Sequence, residues 1–285
     1  MFATLVVATY GRCEQVGRLL QSLAAQTEHD FEVLVVDQNP DDRLATVLET
    51  AVATGLSVRH LRLAKPNLSE ARNVGIREAM GDVIGFPDDD CWYEPGTLAT
   101  LRKQFSHDAA LEGAIASWVE HDLATGKAPV PGLLSFAAWR RFRGGHASSI
   151  TLFFKRALFE RVGCFDARFG VGQWLGAAEE TDLVLRALAS GIRLANCPQT
   201  RVHHHYPGKP SGAWFLLAQT ARRRARGTGA IYAKHRIGGW IVLRGLLAPM
   251  VAPLLQGDLG GAARGMFITL GRVEGLWHWR QKRGH

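Results

Sequence analysis

Short apolar runs recur along the first two thirds of the chain, each stopped by a turn residue. Phe2–Ala8, Phe31–Val36 and Val83–Phe86 are nearly continuous Val, Ile, Leu, Phe and Ala, apart from Thr4, Glu32 and Gly85. Such runs are the mark of strands buried on both faces of a parallel sheet. Val58–Leu63 alternates, and Leu111–Ser117 and Ser149–Phe154 read as further strands. Between them lie stretches of helical period. Cys13–Ala25 places Val16, Leu19, Leu20 and Leu23 on one face; Leu44–Ala53 follows. A helix capped by Asn67 or Ser69 runs to Met80, and another begins at Pro95. Glu179–Ala189 is closed by Gly191. Strands alternating with helices predict an α/β protein, a parallel sheet with helices on both faces. Between Trp118 and Gly145 the pattern weakens, which predicts a mobile loop. Ile192–Asn196 and Thr200–His205 read as extended, and everything after Ser211 as helical.

The strand at Val83 has the most telling end. It runs into Pro87, which has no N–H for a ladder, and then Asp88, Asp89 and Asp90. Ligands of open α/β sheets bind beyond the carboxyl ends of strands. Three adjacent carboxylates repel unless a cation neutralises them. Oxygen donors suit Mg²⁺ or Mn²⁺, which join protein carboxylates to substrate phosphates.

Composition narrows the field. The 285 residues are 47% hydrophobic and 21% charged, enough for one large core. The first ten residues read as a strand with no cationic lead, so a cytoplasmic protein without a signal peptide is expected. Four scattered cysteines without a CxxC pair fit a reducing compartment. The formal charge of +8 is uneven: residues 212–285 hold 12 Lys+Arg against 2 Asp+Glu, and residues 1–211 hold 22 against 24. Basic character therefore belongs to the tail. A nucleic-acid-binding protein would carry it on the core, so no nucleic-acid partner is expected. Neither G-x-G-x-x-G after the first strand nor G-x-x-x-x-G-K-[ST] occurs, which disfavours dinucleotide and P-loop enzymes.

Six short motifs come in one order: Thr9-Tyr10-Gly11-Arg12, Asp37, Ala71-Arg72-Asn73-Val74-Gly75, Asp88–Asp90, Gly163-Cys164-Phe165-Asp166 and Glu179-Glu180-Thr181-Asp182-Leu183. Together, over residues 2 to about 206, they resemble the family 2 inverting glycosyltransferases of bacterial polysaccharide and rhamnosyltransferase type. The resemblance implies the GT-A fold, with a mixed, mainly parallel sheet flanked by helices. It implies a nucleotide-diphosphate sugar donor and Mn²⁺ or Mg²⁺. Thr9, Tyr10 and Asp37 match positions lining the nucleoside pocket; Arg72, Asp88 and Asp89 match donor-binding positions. Asp90, Asp88 and a histidine, His205 before His203, match metal positions. Glu180 takes the place of the general base. Glu179, Trp174 and His203 stand as acceptor-side or supporting groups. An anion at a helix N-terminus is held ionised, as a base must be. The family's acid-Gly-Ser after Asp37 is here Gln38-Asn39-Pro40, which leaves the base open: UDP first, dTDP or GDP as alternatives. A glycan or lipid-linked hydroxyl is the implied acceptor. The rival is a nucleotidyltransferase on a related sheet, which usually needs a glycine-rich phosphate loop where this chain has only Gly11.

The tail is expected to form a separate extension, residues 212–285 beside a transferase domain of 1–211. Ile237–Leu255 contains nine Ile, Val or Leu, each favouring insertion by about 0.3–0.6 kcal/mol, against about 2.5–3.5 for Arg244. With Pro249 and Pro253 added, an in-plane or protein-packed segment is expected rather than a spanning one. Met266, Leu270, Val273 and Trp277 fall on one helical stripe, away from Arg264 and Arg272. A peripheral contact with the inner face of a membrane is the expectation; a helical lid or dimer face is the alternative.

Overall fold

A computed structural model describes residues 1–145, 147–205 and 214–282. The chain order is β1 (Ala3–Thr9), α1 (Glu14–Ala24), β2 (Phe31–Asp37), α2 (Ala45–Ala53), β3 (Val58–Arg62), α3 (Leu68–Glu78), β4 (Val83–Gly85), β5 (Cys91–Tyr93), α4 (Thr97–His107) and β6 (Gly113–Trp118). It continues through α5 (Val119–Thr125), β7 (Gly132–Leu133), α6 (Phe136–Arg140), β8 (Leu152–Lys155), α7 (Arg156–Val162), α8 (Glu179–Ala189), β9 (Leu194–His204), α9 (Trp214–Lys234), α10 (Gly239–Leu255) and α11 (Leu259–Gln281).

The sheet order is β3-β2-β1-β4-β8-β6-β9-β5, with β7 on β9. The half from β3 to β4 is parallel, as the buried apolar runs predict. Beyond β4 the sheet is mixed: β8 is antiparallel to β4 and β6, β9 is parallel to β6, and β5 and β7 are antiparallel to β9. The mixed, mainly parallel sheet that the resemblance implies is what is found, while the strand–helix alternation alone pointed only to its parallel half. Local period carries no record of strand direction. This is the mixed sheet of the GT-A fold.

Each face of the sheet has its own apolar layer. Leu5, Val7, Val33 and Phe153 meet Val16, Leu20 and Leu101 on one side. Val6, Ile84, Phe86 and Phe154 meet Ala71, Leu158 and Leu183 on the other. Burying one such side chain stabilises by about 1.5–3 kcal/mol. Asn67 caps α3, its side chain accepting from the Glu70 N–H. The stretch from Trp118 to Gly145, expected as a loop, instead holds α5, β7 and α6. Their elements are too short to leave a periodic signal. Ser149–Thr151, expected as strand, is a 3-10 turn leading into β8. The two extended stretches before His205 are one strand, β9, whose register against β6 shifts at Ala116/Ser117. The expected domain boundary at 211 lies outside the described residues. Asp82, at the entry to β4, accepts from the Phe2 N–H through its side chain and thus ties the chain's start to the sheet.

Candidate functional site

Strand ends bring the acids together. β1 and β4 are neighbours, and Ala8 bridges Asp88, so Thr9 and the acidic triplet leave the sheet side by side. The Thr9 hydroxyl donates to Asp89 at 2.7 Å. Arg12 pairs with Asp89 at 2.5 Å and Asp90 at 2.6 Å from the rim. Burial pushes the Asp89 carboxyl above its usual range, although Thr9 and Arg12 oppose this.

His204 completes the acidic corner. It stands opposite Cys91 in the β5–β9 ladder, next to Asp90, and its Nε2 lies 2.9 Å from an Asp90 oxygen. Burial works against the Asp90 charge, yet the His204 contact holds its pKa below the ordinary value. That hydrogen bond in turn raises the imidazole's pKa. His204 Nδ1 faces the His205 carbonyl at 2.9 Å, and such a bond fixes Nε2 toward the site. The Trp118 indole donates to the His204 carbonyl, and Glu120 accepts from its N–H. Ligand atoms of Asp88, Asp90 and His204 lie within 4.8 Å of one another. His204, and not the expected His205 or His203, is the histidine that stands beside Asp88 and Asp90. Alternation along β9 sends His204 to the Asp90 side and both neighbours to the other. His203 stacks on Trp92 and sits between Glu94 and Glu120, and His205 lies 5.2 Å from the same indole.

Arg72 ties this corner to a second one. Its guanidinium is only 2% exposed. It donates to Asp88 at 3.0 Å and Glu179 at 3.3 Å, and lies 4.0 Å from Glu180. It is a buried bridge between two acidic groups. Burial opposes its charge, but Asp88, Glu180 and Glu179 together raise its pKa. Ser149 makes a parallel link: its hydroxyl donates to Asp88 at 3.1 Å and its N–H to Glu180 at 3.3 Å. Burial, with the Glu179 charge added, pushes the Glu180 carboxyl up to about 8. One Glu179 oxygen is buried without a hydrogen-bond partner among the described residues.

The motifs in between hold this geometry. Asn73 exchanges two hydrogen bonds with the Phe165 backbone, both 2.9 Å, locking α3 to the Gly163–Asp166 turn. Gly163 has φ of +75°, a conformation that suits glycine. Ala178, immediately before Glu179, sits at φ +83° without that freedom. Asp182 and Arg186 pair within α8, and Asp182 also meets Lys234 and His235 of α9.

On the nucleoside side, Asp37 is fully buried. It accepts from the Asn39 backbone and amide, and meets His60 at 3.0 Å. Asn39 in turn accepts from the Gly11 N–H, and Gln38 from the Asn67 N–H. The Gln38-Asn39 departure thus braces the two loops. Asp37 shapes the pocket from behind, whereas Tyr10 is 56% exposed with its ring open to a flat partner. Trp174 lies apart from the acids, its ring 4.3 Å from His278 and beneath Arg226 in a cavity of about 370 Å³. Sequence reasoning missed Arg12, Ser149, Glu120 and His204. His204 carried a signal as the middle of three histidines, and Arg12 as the last residue of the first motif, though neither was assigned a role.

Comparison with known proteins fits this arrangement. A family model described as "Glycosyl transferase family 2" matches residues 4–165. The chain belongs to glycosyl transferase family 2. The uncharacterized glycosyltransferase YwdF of Bacillus subtilis is 31% identical over 105 residues, 36% of this chain and 38% of that protein. The amylovoran biosynthesis glycosyltransferase AmsB of Erwinia amylovora is 34% identical over 114 residues, 39% and 36% of the two chains. The chain thus spans well under half of these relatives' length. Among solved structures, mannosyltransferase PcManGT from Pyrobaculum calidifontis, in complex with GDP-Man and Mn²⁺, superposes with a TM-score of 0.69 at 18% identity. The match covers 97% of this chain and 87% of that one. TarS 1–349 of S. aureus with UDP-GlcNAc gives 0.61 at 14% identity, covering 99% and 92%. These likenesses are in fold.

Proposed function

We propose that this chain is a metal-dependent inverting glycosyltransferase, moving a sugar from a nucleotide-diphosphate donor to a hydroxyl of a glycan or lipid-linked acceptor. One observation carries the reading: Arg72 joins Asp88 of the Asp88/Asp90/His204 corner to the Glu179–Glu180 pair. Five carboxylates meet there with two arginines and one histidine, a surplus of negative charge that suits a divalent cation. Asp88, Asp90 and His204 would hold it; a histidine donor favours Mn²⁺, with Mg²⁺ the alternative. Bound there, such an ion neutralises a diphosphate and so stabilises the leaving group.

The chain's own groups supply the rest. Tyr10 offers a ring for the base, and the Thr9–Asp89 pair stands beside the ribose position. Glu180 takes the proton of the acceptor hydroxyl as that oxygen attacks the anomeric carbon. Burial raises its carboxyl to about 8, the reverse of the ionised state expected at a helix N-terminus, so it gains strength as a base as pH rises toward that value. Ser149 and Arg72 fix its direction. One displacement with one base inverts the anomeric configuration. The basic C-terminal helices would keep the enzyme at a membrane where such acceptors are held.

The neighbours' printed ligands, GDP-Man and UDP-GlcNAc, keep both bases in view. Binding of UDP, dTDP and GDP should therefore be measured with and without Mn²⁺, on the wild type and on Asp90→Ala. One nucleotide that needs the metal and is lost in the variant supports the proposal. No metal-dependent binding to any of the three would end it. A product that keeps the donor's anomeric configuration would remove the inverting mechanism.

A further inference from the structure

The last two helices turn most of their bulky apolar residues outward, although Ile231 and Tyr232 of α9 and Trp279 of α11 are buried. On α11, Gly261, Ala262, Gly265, Gly271 and Gly275 face inward and are buried. A Cβ at Gly265 would overlap the Pro249 carbonyl oxygen, one at Gly275 that of Arg226, and one at Gly229 of α9 that of Arg272. The helices thus meet backbone to backbone through small residues four apart. The bulky apolar side chains point the other way. On α10, Trp240, Leu243, Leu247, Val251, Leu254 and Leu255 are exposed, at steps of three and four. On α11, Leu259, Met266, Leu270, Val273 and Trp277 form a second exposed stripe. Trp240 is 77% and Leu255 84% exposed, and α10 buries no residue at all.

Helices in water put large apolar residues inside, because the hydrophobic effect rewards their burial. Helices in lipid pack on small residues and turn large ones outward, since acyl chains are as apolar as leucine. The second pattern is the one seen here. No helix among the described residues is long and apolar enough to cross a membrane. Arg244 and two prolines interrupt α10, and an in-plane hairpin is the remaining way to place both stripes in acyl chains.

We infer that α10 and α11 lie in the plane of an anionic bilayer, their outer stripes among the acyl chains and the tail's cations among the headgroups. Charge selects this occupant. Residues 212–285 carry 12 Lys+Arg against 2 Asp+Glu. A second copy would bring the same excess face to face and be repelled, whereas phosphate headgroups complement it. Trp240 and Trp277 belong to the residue type that settles at the headgroup boundary. The inference stands on this surface and does not require the transfer chemistry.

The test is cosedimentation of the full chain with vesicles of phosphatidylcholine alone and of phosphatidylcholine with phosphatidylglycerol. Binding is expected to the anionic vesicles, weakening with salt, with tryptophan emission quenched by brominated acyl chains. Leu247→Ser with Leu255→Ser, and separately Trp240→Ser with Trp277→Ser, should each weaken binding about tenfold or more. All four side chains point outward, so these variants should keep the fold and the metal-dependent nucleotide binding; that binding, measured in parallel, separates this outcome from the fate of the transferase reading. The inference is overturned by a chain that stays in solution, or by binding that both double variants leave unchanged. A dimer in light scattering that the same variants split would also overturn it. Equal binding to both vesicle types would overturn the part assigned to headgroup charge.

Discussion

The sheet domain and the C-terminal helices solve opposite packing problems. In the sheet domain Phe86, Phe153, Phe154 and Phe169 are fully buried, and the buried charged groups, among them Arg72 of α3 and Asp182 of α8, are held in ion pairs. In the C-terminal helices glycine and alanine fill much of the interior beside Ile231, Tyr232 and Trp279, and most bulky apolar residues of α10 and α11 face out. The difference teaches that burial by itself does not mark a folded core. What matters is which medium each face meets. Water drives the phenylalanines inward in one region; the lipid contact inferred above would make the same drive unnecessary in the other.

The comparison can be broken or sharpened by experiment. The largest effect belongs to the partnered charges of the sheet domain. Glu180→Gln should lower turnover by about 10²–10⁴ while leaving metal-dependent nucleotide binding in place, read by steady-state kinetics and titration. A variant with full turnover would move the base elsewhere. Next comes the sheet's apolar interior: Phe154→Ala should cost about 3–5 kcal/mol in denaturant unfolding. Gly275→Val tests the inverted interior. Its new side chain meets the Arg226 carbonyl and should destabilise by about 1–3 kcal/mol, although it adds apolar surface. A stabilised variant would mean that the helices are not held backbone to backbone.

The pH dependence is smaller per unit. Glu180 must be ionised to act, and its folded pKa is about 8 against an ordinary 4.5. Activity should therefore fall about tenfold per unit as pH drops below about 8, and Glu180→Gln should flatten that limb. The stability sign is opposite. Between about 4.5 and 8 the folded chain holds a proton that the unfolded chain releases, so stability falls as pH rises through this window. The smallest effect is at the outer stripe. Leu255→Ser should change stability in water by less than about 0.5 kcal/mol, because the side chain is already exposed. A loss near the Phe154 value would mean that the stripe packs on protein.

Much of the site is legible in the chain because its acids follow strand and helix ends, which period reveals. The apolar run before Pro87 locates Asp88–Asp90, and the helical stretch from Glu179 locates the second acidic pair. The choice among three histidines is not legible. It depends on the register of β9 against β5, and a shift of one residue would exchange the faces. Arg12 and Ser149 escape for a similar reason. Each is an unremarkable residue until a distant element sets it beside a carboxylate. The three residues of Gln38-Asn39-Pro40 look like a loss of the usual pattern, yet Asn39 bridges Asp37 to Gly11.

By itself the sequence determined the α/β alternation, the acids at the strand ends, the basic tail and the stripe on its last helix, since all of these are local patterns of period and charge. Tertiary structure alone decided strand direction beyond β4, the histidine that meets Asp90, Arg72 as a buried link, and the outward turn of the apolar stripes. These depend on which surfaces pair across long stretches of chain, and period specifies that a face is apolar without saying what it will meet.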